Sequence, residues 1–460
     1  MRQLFAQTAL LRTRQSILSI LQPLSAFASA HHTALIWCLG IVYKFALDAM
    51  YVWAASPLYS YAGLTFSPSF FKYVVASAMY FILFTLLPKR ENDIACFLMH
   101  LQLAYTVAPM LSFYAFSGAS SRYMLMVFLA VAIQACIVFA PAAERKPIHI
   151  TGIKNYVTVA LGVLGIFVLV VPVLYNGFAG IKAFDFRYIY EMRANAVYPP
   201  GFGYLQIWLT RAILPFALLT CLMKKRYVPA ALCVAAQIIA YMESGTKFEL
   251  FILVPILAIW LLSRTGHLLK LMYLGMTCIC VLVLLSYQLD HVSGAAFGLN
   301  VSFIIGVRAI FHPADNKFNF YQYFSQHPKI HFSEGLLGKV FSLTDLYAGS
   351  VGQVSYAAEG GEFLAANMNT GYLGDSYAQM GLIGILSMAF LLALIVRALR
   401  TYNTPAAYPL LVSLFSIYFI ILNDIALLTV LFTNGMLVAF LLVFIYLGKQ
   451  EDSSNGIQRI

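Results

Sequence analysis

What most constrains this chain is the recurrence of apolar runs long enough to cross a bilayer. A hydrocarbon core about 30 Å thick takes roughly twenty apolar residues per helix. On that measure spans fall near 33–56, 70–88, 93–116, 122–140, 153–174, 204–222, 228–243, 248–263, 269–289, 376–397, 406–422 and 425–447. With 61% hydrophobic and 10% charged residues, the composition lies outside that of soluble domains, in which about a quarter of residues are charged. The expectation is an all-α polytopic membrane protein with about twelve transmembrane helices. Neither an internal repeat nor a soluble linker divides residues 1–460, so they read as a single integral membrane domain.

The short links between spans carry the cations. Lys89-Arg90, Arg145-Lys146, Lys224-Lys225-Arg226, Arg264 to Lys270 and Arg397 to Arg400 fall on alternate turns. The positive-inside rule assigns those turns, and with them both termini, to the cytoplasm. Two long loops, 175–203 and 290–375, then face the other side. Much of the net charge of +11 resides in the cytoplasmic links, so nucleic acid is not expected as a partner. The outward cations Arg187, Arg193, Arg211, Lys247 and Arg308 suit an anionic ligand or a lipid headgroup. All seven cysteines lie in or beside apolar spans, without CxxC or Cys/His spacing, which argues against disulfides and zinc. The basic, acid-free start resembles a leader up to Ala28-Ser29-Ala30, but Gln22-Pro23 interrupts its apolar core. An amphipathic helix on the inner surface is the preferred reading.

In the first long loop, Phe184-Asp-Phe-Arg-Tyr-Ile-Tyr-Glu-Met-Arg193 predicts a short interfacial helix on which Arg187 and Glu191, four apart, can pair. In the second, Val301 to Phe311 is too short to span and too hydrophobic to float free, so it should pack against the bundle or partly re-enter it. Pro313 is expected to break the chain there. The rings of Phe318-Asn-Phe-Tyr-Gln-Tyr-Phe324 then suit headgroup depth.

Several side chains in these segments could carry chemistry. Arg308 stands in the apolar run Phe303-Ile-Ile-Gly-Val-Arg-Ala-Ile-Phe311, where a buried guanidinium needs an anionic partner. The alternatives are a structural ion pair, snorkelling to the interface, or a phosphate, which suits the planar fork. Lys247, flanked by Glu243 and Glu249, is either paired to a glutamate or free for a ligand. Its Ser244-Gly-Thr-Lys setting lacks the spacing of a phosphate loop. His312, His327 and His331 form a loop cluster, read either as proton-transfer groups or as solvated side chains. Asn367, Asn369, Asp375 and Tyr377 make a polar collar before a span, suited to sugar hydroxyls, although Asp375 also reads as a helix cap. Within the membrane Lys44 and Asp48, four apart, read as a structural pair. Asn423-Asp424 reads as an outer hairpin turn, and no Asp-x-Asp pair occurs in an outer loop.

Taken in order, four segments resemble the Wzy-type polymerases that join O-antigen repeat units in bacterial inner membranes. They are Asp185 to Arg193 with Tyr204-Leu-Gln-Ile-Trp208 and Pro215; Ser244-Gly-Thr-Lys247; Arg308-Ala-Ile-Phe-His-Pro313 leading into Phe320-Tyr-Gln-Tyr-Phe324; and Ala366 to Tyr377 followed by Gly381-Leu-Ile-Gly384. The first four spans add hydropathy alone. The resemblance implies an enzyme without cofactor or metal, acting at the periplasmic face. Its substrate would be an undecaprenyl-pyrophosphate-linked oligosaccharide, and its partners a flippase and a chain-length regulator. The growing glycan would pass to a new lipid-linked unit, releasing undecaprenyl pyrophosphate. A lipid-linked oligosaccharide flippase and an O-antigen ligase are the alternatives. Under this resemblance Arg308, His312, His327 and Asp375 are the catalytic candidates. Arg187, Arg193, Arg211, Lys247 and Arg308 would hold pyrophosphate, and Tyr190, Tyr204, Tyr321, Tyr323, Asn367, Asn369 and Tyr377 would hold glycan.

Overall fold

The computed structural model describes residues 31–141, 154–178, 180–293, 301–334, 338, 340–344, 346–347, 350–358, 368–369 and 371–447. The N-terminal stretch read as an amphipathic helix lies outside them. In chain order the helices are α1 (His32–Ala62), α2 (Phe70–Leu86), α3 (Ile94–Ser117), α4 (Ser121–Phe139), α5 (Lys154–Asn176), α6 (Phe186–Asn195), α7 (Phe202–Met223) and α8 (Tyr227–Ser244). They continue with α9 (Lys247–Phe251), α10 (Leu253–Ser263), α11 (Leu268–Val292), α12 (His312–Gln326), α13 (Val351–Ala358), α14 (Gly371–Arg400), α15 (Tyr408–Ile421), α16 (Leu427–Phe432) and α17 (Met436–Leu447). No strand occurs among the described residues. Eight helices, namely α1, α3, α4, α5, α7, α8, α11 and α14, are long and apolar enough to cross a membrane. The helices α2, α10, α15 and α17 are apolar but shorter. The stretch 425–447, expected as one span, is two helices parted at Asn434-Gly435.

Exposure follows the logic of a bilayer solvent. On α5 the side chains of Val159, Val163, Ile166 and Val170 are all exposed, at helical spacing, so one stripe of the helix meets what lies outside the bundle. Water would penalise such a stripe and lipid does not. The helix α3 is its opposite, with His100, Gln102, Thr106 and Ser112 all buried inside the bundle. Its polar atoms are matched internally: His100 Nδ1 meets the Tyr273 hydroxyl at 2.8 Å, and Gln102 and Gln134 pair through their amides at 2.9 and 3.0 Å.

Four π-helical stretches occur among the described residues, Tyr51–Ala55, Leu103–Val107, Leu209–Ile213 and Ser302–Phe311. Each ends two residues before a proline: Pro57, Pro109, Pro215 and Pro313. A proline ring clashes with the carbonyl four residues back and offers it no N–H, and widening that turn relieves the clash. The loosened turns find other donors. Tyr43 donates to the Ala104 carbonyl at 2.6 Å, and Tyr418 donates to the Arg211 carbonyl at 2.9 Å. Pro313 therefore does not break the chain as expected. It sits second in α12, which continues the π-helical stretch without a break, and the widened turn before it makes room for its ring.

The two ends of the bundle differ. At one end the short links are tied together: His32 Nε2 lies 2.7 Å from the Lys89 carbonyl, Leu269 N–H donates to Glu91 at 2.9 Å, and Arg397 donates to the Ile137 carbonyl at 2.7 Å. At the other end lie residues 57–70, 244–253, 302–334 and 422–435, joined by contacts such as Ser67 N–H to the Phe116 carbonyl at 2.6 Å and Tyr372 N–H to the Leu422 carbonyl at 3.0 Å. This loop-bearing end gathers most of the candidate side chains.

Candidate functional site

Within the expected outer loop, residues His312–Gln326 form a helix packed into the loop-bearing end. On α12 the rings of Phe318, Phe320, Tyr321 and Phe324 are buried against neighbouring helices. Phe318 packs on Phe113 at 5.4 Å, and Tyr321 stacks on Tyr123 at 4.9 Å and meets Tyr377 at 4.8 Å between centroids. This packing carries Asp315, Asn316 and Lys317 inside as well. Lys317 has 0% of its surface exposed, and its three donors find three neutral oxygens. They are the Pro313 carbonyl at 2.8 Å, the Asn423 carbonyl at 2.7 Å and Asn423 Oδ1 at 3.1 Å. Burial lowers its ammonium to about 7, opposed by Asp424. Burial also lifts the Asp424 carboxyl to about 6, opposed by Lys317. Both groups therefore titrate close to neutrality.

Glycine allows α14 to approach this corner. At Gly371 (φ +57) an added Cβ would lie 2.4 Å from the Asn423 carbonyl oxygen and 2.6 Å from Lys317 Cε. The helix α14 starts at Gly371 and loses helical geometry at Met380 and Gly381. Carbonyls freed by that interruption accept from Ile330 N–H (Ala378, 3.1 Å) and His331 N–H (Gln379, 3.1 Å).

A second corner forms around Arg211, half-buried in its π-helical turn. Its guanidinium donates to Asn434 Oδ1 and stacks over Phe248 at 4.6 Å, while its buried Nε has no acceptor. The Glu249 carboxylate accepts from the Ser244 hydroxyl at 2.6 Å. Both oxygens of the buried Glu243 lack a partner. The segment 422–435, which includes α16, joins the two corners, because Asn423 holds Lys317 at its start and Asn434 holds Arg211 at its end.

The expected site residues divide between these places. Arg308 is exposed and has no ion-pair partner among the described residues. The π-helical segment turns it outward while Gly306, Val307 and Ile310 face the bundle. His312 lies one turn on, with its buried Nδ1 unpartnered. Burial lowers its basicity, and Arg308 and Lys317 lower it further. The expected histidine cluster does not form. His312 opens α12 and His327 follows its last residue, and 15 residues at about 1.5 Å each part them by about 22 Å. The exposed His327 stacks on Tyr323 at 4.0 Å, and His331 is exposed at φ +53.

The polar collar is also corrected. Asp375 is no cap, because it lies in the second turn of α14, where it accepts from Gln379 at 3.3 Å. Tyr377 is buried among rings with Lys329 Nζ 4.5 Å from its centroid. Asn369 is exposed and lends its carbonyl to Asn316 at 3.1 Å, and Asn367 lies outside the described residues. Tyr204 is exposed on α7. Lys247 opens α9 at the Arg211 corner. Arg187, Tyr190 and Arg193 fall on α6, their side chains outside the described set.

Reading by residue pattern missed the buried Lys317, the pairing of Asn423 and Asn434 with cations, and the orphaned Glu243. Prolines two residues beyond Arg211 and Arg308's turns were the available signal. Among the described residues no three His, Cys, Asp or Glu side chains form a metal-ligating group. Deep in the bundle Lys44 Nζ lies 2.5 Å from Asp48 Oδ1, which also accepts from Ser112 at 2.6 Å, so the expected pair is a three-residue cluster. Compared with known proteins, the chain matches no family model, no curated protein and no solved structure.

Proposed function

We propose that this chain is a membrane-embedded glycosyltransferase of the O-unit polymerase type, working at the loop-bearing end of its bundle. It would sit in the bacterial inner membrane with about twelve crossings, both termini cytoplasmic and the loop-bearing end periplasmic. Its reaction would move a growing glycan from undecaprenyl pyrophosphate onto a new lipid-linked repeat unit. The observation that carries this reading is Arg211, a guanidinium fixed by Asn434 and Phe248 with one buried N–H lacking an acceptor. A pre-set donor of that kind can stabilise charge building on a leaving pyrophosphate, worth roughly 3 kcal/mol. Exposed Arg308 at the same end supplies a second cation. His312 and Glu243, each with an unpartnered buried atom, are the candidates to take the acceptor's proton. Disrupting the gene and separating surface polysaccharide on a gel tests the reading: single repeat units should remain and the long ladder should vanish. An intact ladder sinks it.

One observation favours a second reading. The cluster of Lys44, Asp48 and Ser112 is ionisable and buried among spans, a placement common in ion-coupled transporters. A flippase for the same lipid-linked unit would lose every repeat unit on gene disruption.

A further inference from the structure

The helix α14 is made of two unlike pieces. Gly371 to Gln379 is buried except at Asp375, whereas beyond the interruption Leu382, Ile383, Phe390 and Leu394 are exposed, as a helix facing lipid allows. Between the pieces Met380 (φ −146, ψ 23) and Gly381 (φ +61, ψ −138) leave helical geometry, and the bend is tight enough that a Cβ on Gly384 would run into the Ser376 carbonyl oxygen. An unbroken helix would pair the Ala378 and Gln379 carbonyls with the N–H groups of Leu382 and Ile383. Here a strap, residues 329–332, takes them instead: Ile330 N–H donates to Ala378 and His331 N–H to Gln379, both at 3.1 Å. Phe332 N–H adds a third bond, to the Gln379 side-chain oxygen at 2.7 Å, and Lys329 Nζ lies over the Tyr377 ring at 4.5 Å. The strap is strained where it docks. His331 (φ +53) and Phe332 (φ +59) are consecutive non-glycine residues in the left-handed region, a conformation that persists only where surrounding contacts hold it.

We propose that α14 is a two-state elbow. In the bent state the strap latches its first piece. In the straight state the strap lets go, the helix runs on through Gly381, and Leu382 and Ile383 take the two carbonyls. One pair of acceptors facing two sets of donors makes the states exclusive, and the strain released at His331 and Phe332 offsets part of the bonds lost. Straightening moves the start of the helix, because Arg397 ties the lower piece to the Ile137 carbonyl at 2.7 Å. That start is now fitted against Lys317 and the Asn423 carbonyl at Gly371, and Tyr372 N–H donates to the Leu422 carbonyl at 3.0 Å. The elbow is therefore a gate over the Lys317 corner: bent, it seals the ammonium, and straight, it opens that corner from outside. The device rests on backbone geometry and is independent of the polymerase reading.

The test is amide hydrogen exchange of the full chain in nanodiscs, read by mass spectrometry at 330–332 and, for reference, at 318–324 in α12. Gly381→Ala acts through the backbone, because its added Cβ would meet nothing nearer than Lys329 Cε at 3.5 Å. Alanine is strained at the bent-state φ and favoured in a continuous helix. Exchange at 330–332 should therefore quicken about tenfold, with 318–324 unchanged. Leu382→Pro works the other way. Leu382 is 41% exposed and opens the lower piece, where a missing N–H is tolerated, whereas in a straight helix the ring would clash with the Ala378 carbonyl. Exchange at 330–332 should slow several-fold. Unchanged exchange at 330–332 in Gly381→Ala, or equal quickening at 318–324, would overturn the elbow, the second by showing general loosening. Should Gly381→Ala fail to fold, Leu382→Pro decides: slower exchange at 330–332 upholds the elbow, and unchanged or faster exchange removes it.

Discussion

Two asparagines of one turn hold two cations in opposite ways. At the Lys317 corner Asn423 completes a set of three neutral acceptors around an ammonium with no exposed surface. At the Arg211 corner Asn434 fixes a half-buried guanidinium and leaves one buried N–H without an acceptor. Charge alone does not separate them, since both lie at the same end of the bundle. Satisfaction does: a donor set that is complete belongs to the scaffold, and one that is short by an acceptor has something left for a ligand.

The largest effect should come from crowding the Lys317 corner. Gly371→Ala sets a Cβ 2.4 Å from the Asn423 carbonyl at φ +57 and should cost more than about 3 kcal/mol, read as a large fall in the melting temperature in detergent. Gly203→Ala, with nothing within 4 Å of its added carbon, is the control and should melt as wild type. Next, under the proposed function, Arg211→Lys should lower polymerisation about a hundredfold, because one ammonium cannot reproduce the bound and stacked fork. A variant that polymerised normally would move Arg211 to the scaffold and erase the contrast.

Exchanging the asparagines sharpens it further. Asn423→Leu removes an acceptor from a buried ammonium and should destabilise by about 2 kcal/mol while folded molecules stay active, whereas Asn434→Leu, at an equally buried position, should destabilise by about as much and reduce the activity of folded molecules as well. The reverse pattern would show that the roles have been assigned the wrong way round. The smallest effect is in pH. Burial lowers Lys317 from 10.5 to about 7, so between those values the unfolded chain keeps a proton that the folded chain has released, and stability rises with pH. Asp424, raised from 3.8 to about 6, acts the other way, its share of stability falling as pH rises through that window. From pH 7 to pH 8 wild type should gain about 1 kcal/mol on Lys317→Met, measured by urea unfolding in detergent. Parallel curves would show that the amine does not titrate there.

Much of the architecture was legible. Apolar runs and cationic links mark the helices and the end at which the short links gather, because hydropathy is a local property of each segment. The candidate site was legible in part: Arg211 and Arg308 stand out as cations beside apolar stretches. The run His312 to Gln326 misled, since Asp, Asn, Lys and His in sequence read as solvated chain. Its burial depends on rings from α3, α4 and α14 and on oxygens of Asn423, 106 residues away from Lys317. The collar around Asp375 and Tyr377 misled for a related reason, as the helix begins at Gly371 only where Lys317 and Asn423 leave room for it.

By itself, then, the sequence determined a helical membrane chain and the spacing of its charges. Those follow from each residue's own solvation and covalent geometry. Which cation is sealed and which is left an open donor was decided only by tertiary structure. That outcome depends on counting acceptors around a buried nitrogen, and the acceptors come from chain segments brought together by packing.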